Sequence, residues 1–205
     1  MKNLIVITSL LTAGTLAAFA TTTLDYAKAG NFNSGNWYDD NAIALRSSRL
    51  EQHSGFYTFE ASELDFSNLK SATFNIYLEI FFNTCNLKFW AVELENTDLD
   101  GEIAEEIIAS VNREADFVST SLTSAQSKSM LSIDITSVLQ KITKGNDVAI
   151  LIGMDGSAAS CYLDYGKGAT TLSVEFFAVP EPSMFGLVAG TLALVLAGTR
   201  RRRRK

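Results

Sequence analysis

The 205-residue chain has one histidine, His53, two prolines and two cysteines, and outside its ends it is poor in basic residues. Each scarcity excludes something. A single histidine rules out a His-Glu-x-x-His zinc helix, and any nucleophile–base pair would depend on that one ring. There is no Gly-x-Ser-x-Gly elbow and no phosphate-cradling glycine loop. Two cysteines cannot build a four-cysteine zinc site or a disulfide-dense scaffold. Carboxylates are abundant, but in so acidic a chain close pairs arise by chance, so no glycosidase acid and nucleophile stand out. The expectation is a protein that is not an enzyme.

Charge is distributed unevenly. Lys2 and the terminal run Arg200 to Lys205 hold seven of the 17 basic residues, which leaves ten against 23 carboxylates, a net of −13 for the rest. Such a surface argues against nucleic acid or anionic lipid as a partner and suits a soluble exported body, with divalent cations as conceivable ligands.

The chain ends explain why the basic residues are where they are. Met1-Lys2-Asn3 is a short basic start, Leu4 to Leu16 an apolar core, and Ala18-Phe19-Ala20 has the small-x-small form of a cleavage site. Residues 1–20 therefore read as a secretory signal peptide cut before Thr21. At the other end both prolines, Pro180 and Pro182, flank Glu181 and precede Ser183. An apolar run over 184–199 follows, about 24 Å long as a helix and a little short of a hydrocarbon core of about 30 Å. Arg200, Arg201, Arg202, Arg203, Arg204 and Lys205 close the chain; their stems snorkel, and their charge orients the helix with this end cytoplasmic.

This tail over 179–205 resembles the PEP-CTERM sorting signal of Gram-negative bacteria, with Pro180, Glu181, Pro182 and Ser183 as the motif. An ordinary C-terminal anchor needs neither the prolines nor the terminal position. The resemblance implies export across the inner membrane and transient anchoring by the 184–199 helix. It further implies processing by an exosortase, a membrane-embedded cysteine transpeptidase, and delivery to the cell surface or an exopolysaccharide matrix.

The body, 21–178, is one domain's worth of chain. Its dominant pattern has a period of two: Phe74, Ile76, Leu78, Ile80 and Phe82 fall on one face, and Thr73, Asn75 and Glu79 on the other. Leu87, Phe89 and Ala91 repeat the alternation after a hairpin turn at Asn83-Thr84. Further strands are expected over Thr22 to Lys28, Ala42 to Ser47, Phe56 to Phe59, Leu131 to Ile135, Val148 to Met154, Cys161 to Tyr165 and Thr171 to Phe177. Two short helices are expected. One is capped by Thr136-Ser137, carries Val138, Leu139 and Ile142, and stops at Gly145. The other places Ile103, Ile107, Ile108 and Val111 on one face, with Glu102, Glu105 and Glu106 turned away. Ser119 to Ser129 reads as a Ser/Thr-rich linker. The fold class is all-β, an antiparallel, jelly-roll-like sandwich with one or two short helices.

The order of segments resembles the secreted β-sandwich domains called DNRLRE domains, related in kind to alginate-type carbohydrate-binding modules. The matching pieces are Gly55 to Phe59, Leu69 to Leu78, the corner Ile133-Asp134-Ile135-Thr136-Ser137-Val138-Leu139, and Leu172 to Phe176. The resemblance implies a strand entering the core, a long core strand, a strand-to-helix Asp-x-Thr corner and a closing strand, and it adds carbohydrate as a ligand class.

Three sets of residues are candidates for binding or bonding. Cys85 and Cys161 are an even pair in an exported chain and so are read as a disulfide, with two packed thiols as the alternative. A bridge would close a loop of about 76 residues and stabilise by roughly 4 kcal/mol in the chain-entropy model. Asn96, Asp98 and Asp100, followed by Gly101, have calcium-loop spacing with Ile103 at the apolar position, but Ile107 stands where the bidentate glutamate belongs. Asp and Asn also serve simply as turn formers there. Trp37, Tyr38 and Asp39, in the turn-rich stretch Gly35 to Asp40, and Trp90 are candidates for stacking a sugar, against the alternative that both tryptophans cover the sandwich. The functional expectation is an exosortase-processed surface or matrix protein with a structural or adhesive, non-catalytic body. A carbohydrate-binding module that holds an extracellular polysaccharide is the alternative.

Overall fold

The long strand Leu69–Phe82, β6, organises one of two sheets, because its strict alternation of apolar and polar residues gives it one face for a core and one for water. In the computed structural model the described residues are 20–33, 36–39, 43–47, 53–82, 84–95, 97, 104, 107–108, 111, 116–143, 145–155, 159–163 and 169–177. The remaining strands are β1 (Ala20–Asp25), β2 (Lys28–Asn33), β3 (Asn36–Asp39), β4 (Ile43–Ser47), β5 (His53–Phe59), β7 (Cys85–Leu94), β8 (Val118–Leu122), β9 (Ser129–Asp134), β10 (Asp147–Asp155), β11 (Ala159–Leu163) and β12 (Thr171–Phe176). One short helix, α1, covers Thr136–Leu139.

Sheet one runs β1-β12-β6-β11-β4, with β9 also paired to β6, and sheet two runs β3-β2-β5-β10-β7-β8. Neighbours such as β1 with β12 and β5 with β10 are distant in sequence, and the pairs with a described register are antiparallel, as in a β-sandwich. The inner faces share one core. Phe74, Ile76 and Leu78 of β6 and Leu172 and Val174 of β12 meet Tyr57 and Phe59 of β5, Phe89 of β7 and Val148, Ile150 and Ile152 of β10. Phe74 is the hub of the aromatic contacts, with ring centroids 5.9 Å from both Tyr57 and Phe89 and 6.2 Å from Phe59. Residues Thr21–Phe176 form one compact unit.

The continuous apolar run in β10 has a further cause. A one-sided strand would alternate, but Val148 to Ile152 is apolar throughout because this strand is buried on both faces. Ala149 and Leu151 point away from the main core into a second cluster with Phe56, Trp90, Leu94, Ala104 and Ile107. Ala104, Ile107 and Ile108 are helical, and the Val111 amide donates to the Ile107 carbonyl at 3.0 Å. The expected helical face of Ile107, Ile108 and Val111 is therefore used, as a cover on the outside of sheet two.

Several expectations are corrected. The alternation of β6 does not run unbroken to Phe82, since Leu163 pairs with Leu78 and Tyr162 with Ile80, so Glu79 is skipped and Phe81 takes the register position of buried Cys161. This β-bulge is invisible to a period-two pattern. The expected first strand breaks between Asp25 and Lys28, and the chain resumes as β2, whose Gly30, Asn31 and Asn33 disguise it. Trp37, Tyr38 and Asp39 belong to strand β3, paired with β2 from Gly30–Asp39 to Asn33–Asn36, rather than to a loop. Most of the expected Ser/Thr linker is strand β8, the 3-10 turn Ser124–Gln126 and the start of β9.

The helix caps differ too. α1 is preceded by Ile135 as N-cap with no side-chain cap bond, and it ends at Gln140, before Gly145, which sits in the turn to β10 at φ 97°. Thr136 spends its hydroxyl elsewhere. Its backbone N–H and Oγ1 donate to Asp134 Oδ1 at 3.0 and 2.6 Å, and its Oγ1 accepts from the Ala72 amide at 2.9 Å. The Asp-x-Thr corner thus ties the end of β9 to β6. A second polar clamp is buried Asp147, whose Oδ1 accepts from the Ala61 and Ser62 amides at 2.9 and 3.0 Å.

Candidate functional site

The two outer sheet faces are chemically different, and the aromatic candidates from the sequence, on β3 and β7, all belong to sheet two. On sheet two, Trp90 lies opposite Leu151 in register and packs against Phe117 at a ring-centroid distance of 5.8 Å. A β-carbon placed on Gly153 would stand 3.0 and 3.2 Å from the indole Cζ3 and Cη2, so the ring lies over that glycine. Trp90 is only 6% exposed. It is a structural indole and offers no ring face to a sugar, which corrects the reading of Trp90 as a stacking platform. Its Nε1 finds no hydrogen-bond partner among the described residues. At the margin of this face Lys88 Nζ is 3.2 Å from Asp155 Oδ2 and 4.7 Å from the centroid of the Phe117 ring.

Trp37 is placed by register alone. It lies across from Phe32 on β2, and Tyr38 across from Asn31. β3 is the outermost strand of sheet two, so the structure sets Trp37, Tyr38 and Asp39 at a sheet edge and Trp90 near the opposite edge, on β7. They do not form one constellation.

Cys85 and Cys161 are free thiols, both buried in the main core, one on β7 of sheet two and the other on β11 of sheet one. The expected bridge is not formed; each sulfur packs as a small apolar side chain. Burial pushes the Cys85 thiol up to about 11. Burial pushes Cys161 higher still, helped by the negative charge that a Cys85 thiolate would carry. Neither is a nucleophile at neutral pH.

Asn96, Asp98 and Asp100 lie outside the described residues, as do the signal segment up to residue 19, Pro180 to Ser183, the apolar run and Arg200 to Lys205. Among the described residues no group of three or more His, Cys, Asp or Glu is gathered as for a metal ion. Nor, among them, is any helix long and apolar enough to cross a membrane.

The outer face of sheet one was not singled out by the sequence, yet it is the open one. Ser132 Oγ donates to Asn75 Oδ1 at 2.8 Å, and Asn75 Nδ2 donates to Thr171 Oγ1 at 3.3 Å, so a polar ladder crosses β9, β6 and β12. Glu175 accepts from Lys70 Nζ at 2.8 Å and from Ser71 Oγ at 3.1 Å. Lys70, then the Ser71 hydroxyl, hold its carboxyl below the ordinary glutamate range despite some desolvation. Further along, Tyr77 pairs in register with Met130 of β9, and Tyr162 of β11 with Ile80. Met130 is 47% and Tyr162 37% exposed, two of the three exposed large hydrophobic residues among those described. Between the register positions of the tyrosines Glu79 sits at the bulge, its Oε2 shielded from water and without a hydrogen-bond partner among the described residues. The signal that would have found this site is the odd-numbered phase of the strand pattern, which carries Thr73, Asn75, Tyr77 and Glu79 on the side away from the core.

No protein-family model and no curated protein matches the chain. Among solved structures, the chain is similar to the CBM22-1–GH10 modules of the Clostridium thermocellum endo-1,4-β-D-xylanase 10B in complex with xylohexaose. The TM-score is 0.34 at 7% identity, over 80% of this chain and 29% of that chain. The chain therefore spans less than a third of that protein's length, and at this TM-score the likeness assigns it neither a ligand nor an activity.

Proposed function

We propose that this chain is exported, sorted by an exosortase and retained at the cell surface or in the exopolysaccharide matrix, where its β-sandwich plays a structural or adhesive, non-catalytic part. The observation that carries the reading is the order of Pro180-Glu181-Pro182-Ser183, an apolar run over 184–199 and the basic end Arg200 to Lys205, behind a body over 21–178 of net charge −12. The physical logic is a hand-over. A signal peptide brings the body across the membrane, the apolar run stops transfer, the basic end fixes orientation, and the proline-bounded motif stays outside for cleavage. The sandwich suits the destination. Its core strands are shielded on both faces in sheet two, and its polar outer surface on sheet one is rich in hydroxyl groups.

Fractionation of producing cells tests this. The body is expected in the washed extracellular matrix or outer-surface fraction, and recovery in the cytoplasm contradicts the proposal. The second reading, a carbohydrate-binding module, is favoured by one observation: one outer sheet face is covered by apolar side chains, whereas the other leaves Tyr162 and Met130 exposed beside hydroxyl and amide groups.

A further inference from the structure

We propose that the outer face of sheet one around Tyr77, Glu79, Met130 and Tyr162 is a platform for a neutral polysaccharide chain, rather than the Trp37 edge or the Trp90 face of sheet two. The inference rests on the carbohydrate-binding reading and deepens it. Sugar rings present an apolar face of C–H groups and an equatorial rim of hydroxyls, so a site for them needs exposed flat side chains flanked by hydrogen-bonding groups. This face supplies both. Tyr162 and Met130 are exposed on it, and Tyr162 supplies the flat ring. Tyr77 stands directly across from Met130 and is separated from the register position of Tyr162 by three residues, about 10 Å along the strand, room for two sugar rings.

The polar groups select the ligand. Glu79 Oε2 is an acceptor without a hydrogen-bond partner among the described residues, and an unmatched acceptor shielded from water is costly. A turn about the broad terminal torsion of the side chain brings this oxygen to a ligand hydroxyl. The β-bulge at Glu79 is the device that re-aims it. Ser132 and Asn75 continue the polar strip beside Met130 and Tyr77. Charge favours the neutral class: the carboxylates Glu79, Asp134 and Glu175 lie on this sheet and Lys70 is paired to Glu175, set against Arg46 of β4, at the register position of Ser160, and exposed Lys128, whose amide donates to the Leu78 carbonyl. An acidic glycan would be repelled, whereas hydroxyl donors from a neutral chain complement the carboxylate.

The test is affinity electrophoresis of the full chain in gels containing hydroxyethylcellulose or soluble starch as neutral probes and alginate as the anionic probe. Retardation by a neutral probe, with less by alginate, is expected. Tyr162→Ala and Glu79→Gln should each weaken it about five-fold, the scale of one aromatic contact or one hydrogen bond. Met130→Glu should weaken it as well, while Trp37→Ala leaves it unchanged. Tyr162 and Met130 are exposed, so their variants keep the melting temperature, which circular dichroism checks. Neutral-probe binding that survives Tyr162→Ala and Met130→Glu, or that disappears in Trp37→Ala, overturns the platform while leaving carbohydrate binding in place. Stronger retardation by alginate overturns the neutral class. No retardation in any gel overturns platform and binding module together, and the sorting proposal, read from the C-terminus of the mature protein, is unaffected.

Discussion

Ile43 of β4 presses directly onto the backbone of Gly55 in β5: a β-carbon on Gly55 would overlap the Ile43 Cγ2 methyl and stand 2.8 Å from Cδ1. The two strands belong to different sheets, so this contact packs one layer of the sandwich against the other. Ile43 is fully buried and has no free end to swing away.

Gly55→Ala should therefore destabilise by about 1–3 kcal/mol through overpacking, a fall in Tm of roughly 3–10 °C for a domain of this size. Urea unfolding of Gly55→Ala, Ile43→Ala and the double variant measures the coupling. The double variant is expected to be more stable than the sum of the single losses, because removing the Ile43 branches clears the space; simple additivity would contradict the packing described.

The paired thiols give a second prediction. Both are raised by burial, so their contribution to stability is complete below the ordinary thiol value of about 9 and is lost as pH rises through about 11 for Cys85. The sign follows from protons: above pH 9 the unfolded chain releases them and the folded chain holds them, so alkali favours unfolding. Urea midpoints should fall between pH 8 and 10.5 more steeply than in a Cys85→Val/Cys161→Val variant. In the native protein at pH 8 an alkylating reagent should label neither cysteine, and after unfolding without reductant it should label both. Protection that persists after unfolding would mean that the two are joined.

At the Asp134–Thr136 corner, the Thr136 hydroxyl and then its amide hold the Asp134 carboxyl below the ordinary aspartate range, against a small desolvation effect. A lowered carboxyl contributes stability above its unfolded value of about 3.9, and that contribution is lost as pH falls below it. Thr136→Val removes the hydroxyl that donates to Asp134 and accepts from Ala72 N–H, and should cost about 1–3 kcal/mol at pH 7. In that variant the Asp134 carboxyl should titrate closer to its ordinary value by NMR, and Thr136→Ser should restore the lowered one. An unchanged titration would show that the hydroxyl does not set it.

Much of the sandwich was legible because burial on one face leaves a period-two trace, as in Thr73 to Leu78, whereas the corner at Asp134 was expected only from a family resemblance, its Thr136 reading by itself as a helix cap. What escaped did so for physical reasons. Gly30, Asn31 and Asn33 form a strand whose neighbours, rather than its own propensities, hold it in place. The bulge at Glu79 is a register event between two strands, and a single strand's pattern has no record of it. The helix pattern showed only that Ile107, Ile108 and Val111 share an apolar face; that this face packs with Trp90 in one cluster on the outside of sheet two is a tertiary fact. The same limit hid the open face of sheet one, since Tyr77 and Tyr162 are 85 positions apart and come onto one sheet only through the β6–β11 pairing.

Sorting by the tail is the claim on which the functional account turns, and intact-mass analysis of the C-terminus of the exported protein tests it most directly. The wild-type chain should end near Pro180 to Ser183 and lack Arg200 to Lys205. Replacement of Pro180, Glu181 and Pro182 by alanine should leave export intact but yield a membrane-bound chain with the full basic end. A wild-type protein that keeps Arg200 to Lys205, or a variant trimmed and released as the wild type is, would contradict the account.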